Sequence, residues 1–299
     1  MQALWMVLAA FLFASMGVCI KFASAYFNTA ELVFYRGLIG MLVLWALARS
    51  QRVVLQTQYP WMHAWRSLIG VTAMGTWFYA IGALPLATAM TLNYMSSVWI
   101  AAFFVGGAVL AWRPSSNTSA PALQGPLVLT VLAGFAGVVM VLRPSLDQNQ
   151  MFAGVIGLLS GMSAAFAYLQ VVTLSRVGEP ETRTVFFFAI GSTLAGAVAT
   201  LVMGISDWPG WPGLWLLPIG VLASGGQLCM TRAYARASSS QRGTLVVANL
   251  QYSGIVFSAL YGLFLFGDHI PLQGWLGMGL IISSGIAATA LRARAASKL

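Results

Sequence analysis

Ten apolar runs divide the chain, at residues 3–25, 31–49, 64–83, 87–112, 124–143, 152–176, 184–204, 213–233, 243–266 and 272–292. Most reach the roughly 20 residues that carry a helix across the hydrocarbon core. Helices and closed barrels are the two ways to satisfy backbone groups in lipid. Barrel strands would show alternating segments of about 10 residues, whereas these runs are apolar throughout. The pattern predicts an all-α membrane protein with ten transmembrane helices. The gaps are short. The longest, Gln51–His63 and Arg113–Leu123, are polar or proline-bearing linkers. The first run has Ala23-Ser24-Ala25 where a signal peptide would be cleaved. It lacks a basic start, and Lys21 precedes that site, so a membrane helix is expected there too.

Composition strengthens this picture. Charged residues make up 7% and hydrophobic residues 59% of the 299 positions, against about 25% charged in a soluble domain. The net charge of +9 lies in gaps and helix ends, with no basic run interleaved with aromatics. The partners expected are therefore the lipid bilayer and a small-molecule substrate rather than nucleic acid, and nothing in the chain demands an obligatory protein partner. Basic residues set the orientation. With the N-terminus inside, Arg49, Arg52, Arg66, Arg113, Arg176, Arg183, Arg232, Arg236, Arg242, Arg292, Arg294 and Lys298 fall on the inner side, and Arg143 alone on the outer. Both termini are expected in the cytoplasm and the protein in the inner membrane. Cys19 and Cys229 sit inside apolar runs and read as packing residues.

Two stretches match across the halves. Asn93-x-x-x-Ser97 corresponds to Asn249-x-x-x-Ser253, each followed by an apolar run. Leu123-Gln124-Gly125 opens span five and Leu272-Gln273-Gly274 opens span ten, with Gly137 and Gly285 following 12 and 11 residues later. Residues 1–150 and 151–299 thus read as two five-helix repeats. Five is odd, so the second must enter the membrane from the opposite side. That inverted-topology arrangement places a substrate site near the midplane between the halves.

With Lys21 late in span one, Glu31-Leu-Val-Phe-Tyr-Arg36 opening span two and Tyr79-Ala-x-x-x-Leu-Pro-Leu-Ala87, a family becomes visible. The Leu-Ala-Gly-Phe-Ala-Gly-Val segment ending at Val138 and Phe266-Gly-Asp268 complete the set. Over essentially its full length the chain resembles the drug/metabolite transporter superfamily, EamA-type branch. The resemblance implies ten helices, cytoplasmic termini and alternating-access movement of small organic solutes. The chain departs from the family pattern in having Ser97 and Ser253 where relatives often carry a mid-span proline. It also has no acid in Phe104–Ala108, where relatives often close span four with glutamate.

Lys21 and Arg36 are the cations placed well inside the spans, at similar depth below the outer surface. A cation at a helix centre costs about 2.5–3.5 kcal/mol or more, which makes each a candidate counter-charge for a substrate carboxylate or phosphate. The bland alternatives are that Lys21 pairs with Glu31 or snorkels to the interface and that Arg36 caps carbonyls of a neighbouring helix. Asn93, Tyr94, Ser97, Asn249, Gln251 and Tyr252 are candidates to line a pathway, with Tyr79, Trp77, Trp99, Tyr168, Gln170 and Gln227 from neighbouring spans. Any one amide or hydroxyl could instead form an interhelical hydrogen bond, but aromatic rings with amides suit an amphipathic solute.

His63 and His269 fall at opposite faces, so no metal site is expected, and no cofactor is implied. Six acids near the surfaces provide no catalytic constellation, which argues against an enzyme, and no phosphate-cradling glycine loop is present. Glu31 is the one candidate proton site, so uniport or exchange is favoured. The expected function is an inner-membrane secondary transporter exporting a small amphipathic, amino-acid-like metabolite. The alternatives are uptake of a nucleoside- or vitamin-like solute such as an S-adenosyl compound or a flavin, and, remotely, a non-transporting assembly subunit.

Overall fold

The computed structural model describes residues 2–96, 98–100, 102–103, 125–142, 148–237, 247 and 249–296. Ser97 and the 113–123 linker lie outside them. Among the described residues there are ten α-helices and no strand. They are α1 (Gln2–Ala23), α2 (Thr29–Ser50), α3 (Pro60–Ala83), α4 (Leu86–Asn93) and α5 (Gly125–Leu142), then α6 (Gln148–Arg176), α7 (Glu181–Met203), α8 (Leu216–Ala237), α9 (Ser253–Leu265) and α10 (Leu272–Ala296). A 3-10 turn at Trp211–Trp215 leads into α8. Five segments are long and apolar enough to cross a membrane: α1, α2, α6, α7 and the 3-10 turn with α8. Apolar stretches of α5, α9 and α10 are shorter.

Local chemistry fixes the ends. Asn28 caps α2 through a capping box, its side chain accepting from the Glu31 amide while Glu31 accepts from the Asn28 amide. Pro85 forces Leu84 into an extended conformation (φ −114°, ψ 163°), because the residue before proline is driven out of the helical region. That breaks the chain between α3 and α4. Gly178 (φ +83°) turns α6 into α7, a left-handed conformation that glycine adopts without Cβ strain.

Most helices find their main partner far away in sequence. The largest contacts are α2 with α7, α5 with α10, α1 with α8, and α3 with α6, and α4 packs on both α6 and α9. Glycines make these approaches possible. Gly37 of α2 seats on the Thr193 backbone of α7, and Gly196 of α7 seats on Phe34 of α2. A Cβ on Gly137 would lie 2.8 Å from the Gly277 carbonyl, so α5 and α10 touch backbone to backbone. The core runs along α1, α3, α4 and α8, where Ala14, Ile20, Ile81, Leu86, Met90, Leu92 and Ile219 are fully buried.

The sequence pattern predicts uninterrupted spans over 87–112 and 243–266. Both are interrupted. α4 ends at Asn93, and Tyr94 and Met95 form a turn in which the Met95 amide donates to the Leu92 carbonyl at 3.3 Å. Gln251 and Tyr252 form the matching turn before α9, where the Tyr252 amide donates to the Asn249 carbonyl at 3.1 Å. No proline is needed. At the first break Gly161 of α6 lies against the Leu92 and Asn93 carbonyls, so tertiary packing holds the turn.

Candidate functional site

A small cavity of ≈ 60 Å³ lies in the middle of the bundle, lined from α1, α2, α3, α4, α6, α7 and α8. Phe13, Trp77, Phe78 and Phe188 supply its apolar walls, and Asn93, Tyr94, Tyr168, Gln227, Arg36 and Arg66 its polar groups. The break after α4 places Asn93 and Tyr94 there. Asn93 donates from Nδ2 to Ser160 Oγ at 3.1 Å, and Ser160 donates to the Gly157 carbonyl at 2.6 Å. The break before α9 reaches the same wall through Gln251, whose Nε2 donates to the Tyr168 hydroxyl at 2.8 Å. Tyr168 in turn stacks on Tyr234, ring centroids 6.2 Å apart. Tyr94 packs against Gly254 of α9.

Arg36 and Arg66 dominate the electrostatics. Both are 3% exposed. Their guanidinium carbons lie 4.8 and 4.3 Å from the centroid of one ring, Phe188. Cation–π attraction of this kind is worth about 0.5–2 kcal/mol each. Arg36 Nη1 donates to Ser192 Oγ at 3.4 Å. The ion pairs among the described residues are His63–Glu179, Arg183–Glu179 and Arg232–Glu181; none includes Arg36 or Arg66.

The expected charge partners separate. Lys21 does not pair with Glu31. Its Nζ donates to the Leu84 carbonyl at 2.6 Å and lies 5.4 Å from the Phe266 ring centroid. It lines a second hollow of ≈ 480 Å³ with Phe22, Tyr26, Trp215 and Phe266. Glu31 is buried at the start of α2 and bonded to Asn28 and to the amide and hydroxyl of Ser206, at 2.8 and 2.6 Å. Its place in the capping box explains why it faces the chain between α7 and α8 and not a cation. Tyr79 is 39% exposed and packs edge-on against Phe152, away from the cavity. Trp99 packs with Phe103 and Phe135 and does not line the cavity. Gln170 lies in a surface hollow with Trp61 and Trp65. Asn249 has a buried Oδ1 without a partner, and Tyr252 is buried, but neither lines the cavity.

The residues 1–143 match the model of the EamA-like transporter family. The chain is 32% identical over 286 residues to the pseudopaline exporter CntI of Pseudomonas aeruginosa, covering 92% of this chain and 91% of that one. The protein belongs to the EamA-like transporter family. This EamA-like protein is also 23% identical over 282 residues to an S-adenosylmethionine uptake transporter of Rickettsia felis, covering 93% and 88% of the two chains. A solved crystal structure with 20% identity shares its fold, with a TM-score of 0.64 over 98% of this chain and 97% of that one. It is an integral membrane transporter of the drug/metabolite type and not an enzyme.

Arg66 is the cavity residue that sequence reasoning missed. It falls at the inner end of a span, where arginines ordinarily meet headgroups, and so counts toward orientation. Its local signal is Gly70 four residues on, which leaves room for the guanidinium to fold back along α3. Phe188, whose ring both arginines approach, had no signal among the other phenylalanines of its span.

Proposed function

We propose that this transporter works by alternating access between two inverted five-helix repeats, residues 1–150 and 151–299, and exports a small amphipathic, amino-acid-like metabolite from the cytoplasm. The observation that carries this reading is the packing pattern. Adding five to each helix number in the first half, and subtracting five in the second, exchanges α1–α8 with α6–α3 and α2–α8 with α7–α3. The same operation returns α2–α7, α4–α9 and α5–α10 to themselves. A two-fold axis in the membrane plane gives this exchange. The breaks after α4 and before α9 lie within one residue of each other when Asn93 is matched to Asn249, and discontinuous helices of this kind form transporter sites between inverted repeats. The central cavity is lined from both proposed repeats, and its aromatic walls with amides and hydroxyls suit an amphipathic solute.

At ≈ 60 Å³ the cavity is smaller than the roughly 300–1,000 Å³ of pockets that enclose an organic ligand. Substrate entry therefore requires the halves to move. Export rests on the likeness to the pseudopaline exporter, and uptake of a nucleoside-like solute, the second reading, on the weaker likeness to the S-adenosylmethionine uptake transporters. The excess of basic residues on one side supports cytoplasmic termini, and the likeness to a bacterial exporter supports the inner membrane.

The test is flux in proteoliposomes of purified protein against a panel of labelled amino-acid derivatives and nucleosides, with Asn93→Ala beside wild type. The proposal expects saturable, countertransport-stimulated flux of an amino-acid derivative that Asn93→Ala reduces at least tenfold. Flux of nucleosides alone would favour the second reading, and no flux above empty liposomes for any member would contradict both.

A further inference from the structure

Arg36 and Arg66 both lie over the ring of one buried phenylalanine, Phe188, with no acid paired to either among the described residues. Around them, the cavity-lining polar atoms that lack a partner are Arg36 Nε, Arg66 Nε and Nη1, Trp77 Nε1 and the Tyr94 hydroxyl. Each can donate a hydrogen bond, and all but the hydroxyl can only donate. Buried donors without acceptors cost free energy, and two like charges in a low-dielectric interior repel. A packing role would be served better by apolar side chains of similar size.

A carboxylate is the group whose chemistry answers these deficits. It accepts at about four lone-pair positions, matches the fork of a guanidinium and supplies the missing negative charge. We infer that the transported substrate carries a carboxylate that docks between Arg36 and Arg66, and that this arginine pair selects substrates of net negative charge. The inference rests on the transport reading above and narrows its substrate class. It also weighs against an S-adenosylmethionine-like substrate, whose carboxylate would fit but whose sulfonium and ammonium groups give a net positive charge facing two arginines. Gly70 is part of the site. A Cβ there would collide with Arg66 Nη1 and lie 2.8 Å from Phe188 Cε2, so Gly70→Ala must push the Arg66 guanidinium out of its seat.

Three indole probes of one shape and different charge test this: N-acetyl-L-tryptophan (anion), L-tryptophan (zwitterion) and L-tryptophanamide (cation). Thermal shift of purified protein is expected to rank the anion first and the cation last. Arg66→Gln and Gly70→Ala should lose that ranking, with at least a tenfold weaker Kd for the anion, and Arg66→Lys should recover part of it. Without any probe, Arg66→Gln should melt no lower than wild type, because it removes an uncompensated buried charge; a purely structural arginine gives the opposite result. The inference is overturned if wild type shows no preference for the anion, or if the unliganded Arg66→Gln protein melts well below wild type while keeping the ranking. Proteoliposome flux of the same probes separates the two readings. Anion-selective binding without flux would sink the transport reading and leave the arginine site standing. Flux indifferent to charge would do the reverse.

Discussion

Among the described residues, Asn93 makes one side-chain bond beside the break after α4, from Nδ2 to Ser160 Oγ, in a buried setting. Asn93→Ala leaves Ser160 with its own bond to the Gly157 carbonyl, so the loss is that of a single buried hydrogen bond, about 1 kcal/mol. Ser160→Ala in that background should then add little, and melting temperatures of the two single variants and the double variant check the coupling. Glu179 gives a pH prediction. Burial works against its charge, but the Thr57 hydroxyl, Arg183 and His63 outweigh burial and hold the carboxyl below its ordinary pKa. A carboxyl lowered in the folded state contributes stability that is complete above its unfolded value, about 4.3. That contribution is lost as pH falls through the lower folded value. Glu179→Gln should therefore melt lower at neutral pH and show a flatter loss between pH 5 and about 3. At this scale the sequence revealed some site residues and hid others. Arg36 stood out because a cation in mid-span has few bland explanations, whereas Arg66 hid among interfacial arginines. Trp77 and Tyr79 could not both face the cavity. Two residues apart on a helix is about 200° of rotation, and burial gave the inward position to Trp77.

Pairs of helices are held together by glycine seats more than by polar bonds. α5 and α10 meet where Gly137 and Gly277 each approach the other's carbonyl, with a built Cβ at 2.8 Å in both directions. Gly137→Ala must open that contact, at a cost of about 1–3 kcal/mol. The control is Gly75→Ala on α3, where a Cβ meets nothing within 4 Å; it should leave the melting temperature unchanged or raise it slightly. The number of helices among the described residues and the Pro85 turn could be read from hydropathy and proline chemistry, because both are local. The breaks in α4 and α9 could not. They lie in runs with no proline, and what holds the first open is Gly161 of another helix against the Leu92 and Asn93 carbonyls. Distant packing of that kind leaves no mark on hydropathy.

Across the whole molecule, polar contacts close the bundle at two opposite ends with the cavity between. At one end Lys21 reaches the Leu84 carbonyl, the Leu86 amide donates to Asp268 Oδ2 at 3.3 Å, and Ser206 bonds Glu31. At the other, Glu179 gathers Thr57, His63 and Arg183, Thr182 donates to Gln51, and Arg232 pairs with Glu181. Many of these contacts join elements of the two proposed repeats, so rocking one repeat against the other requires one set to open while the other holds. In the sequence the proposed repeat rests on the Asn93/Ser97 and Asn249/Ser253 match. The pairing of α1 with α8 and α3 with α6 was not, since it depends on how the halves dock.

The most direct test of alternating access is the reach of water to the cavity from each side of the membrane. Met74 lines the cavity and is buried. Met74→Cys, in a background with Cys19→Ser and Cys229→Ser, would be labelled in oriented vesicles with a membrane-impermeant maleimide. Alternating access predicts labelling from either side, with substrate on one side shifting the balance between them. Labelling from one side only, or from neither under any condition, would contradict it.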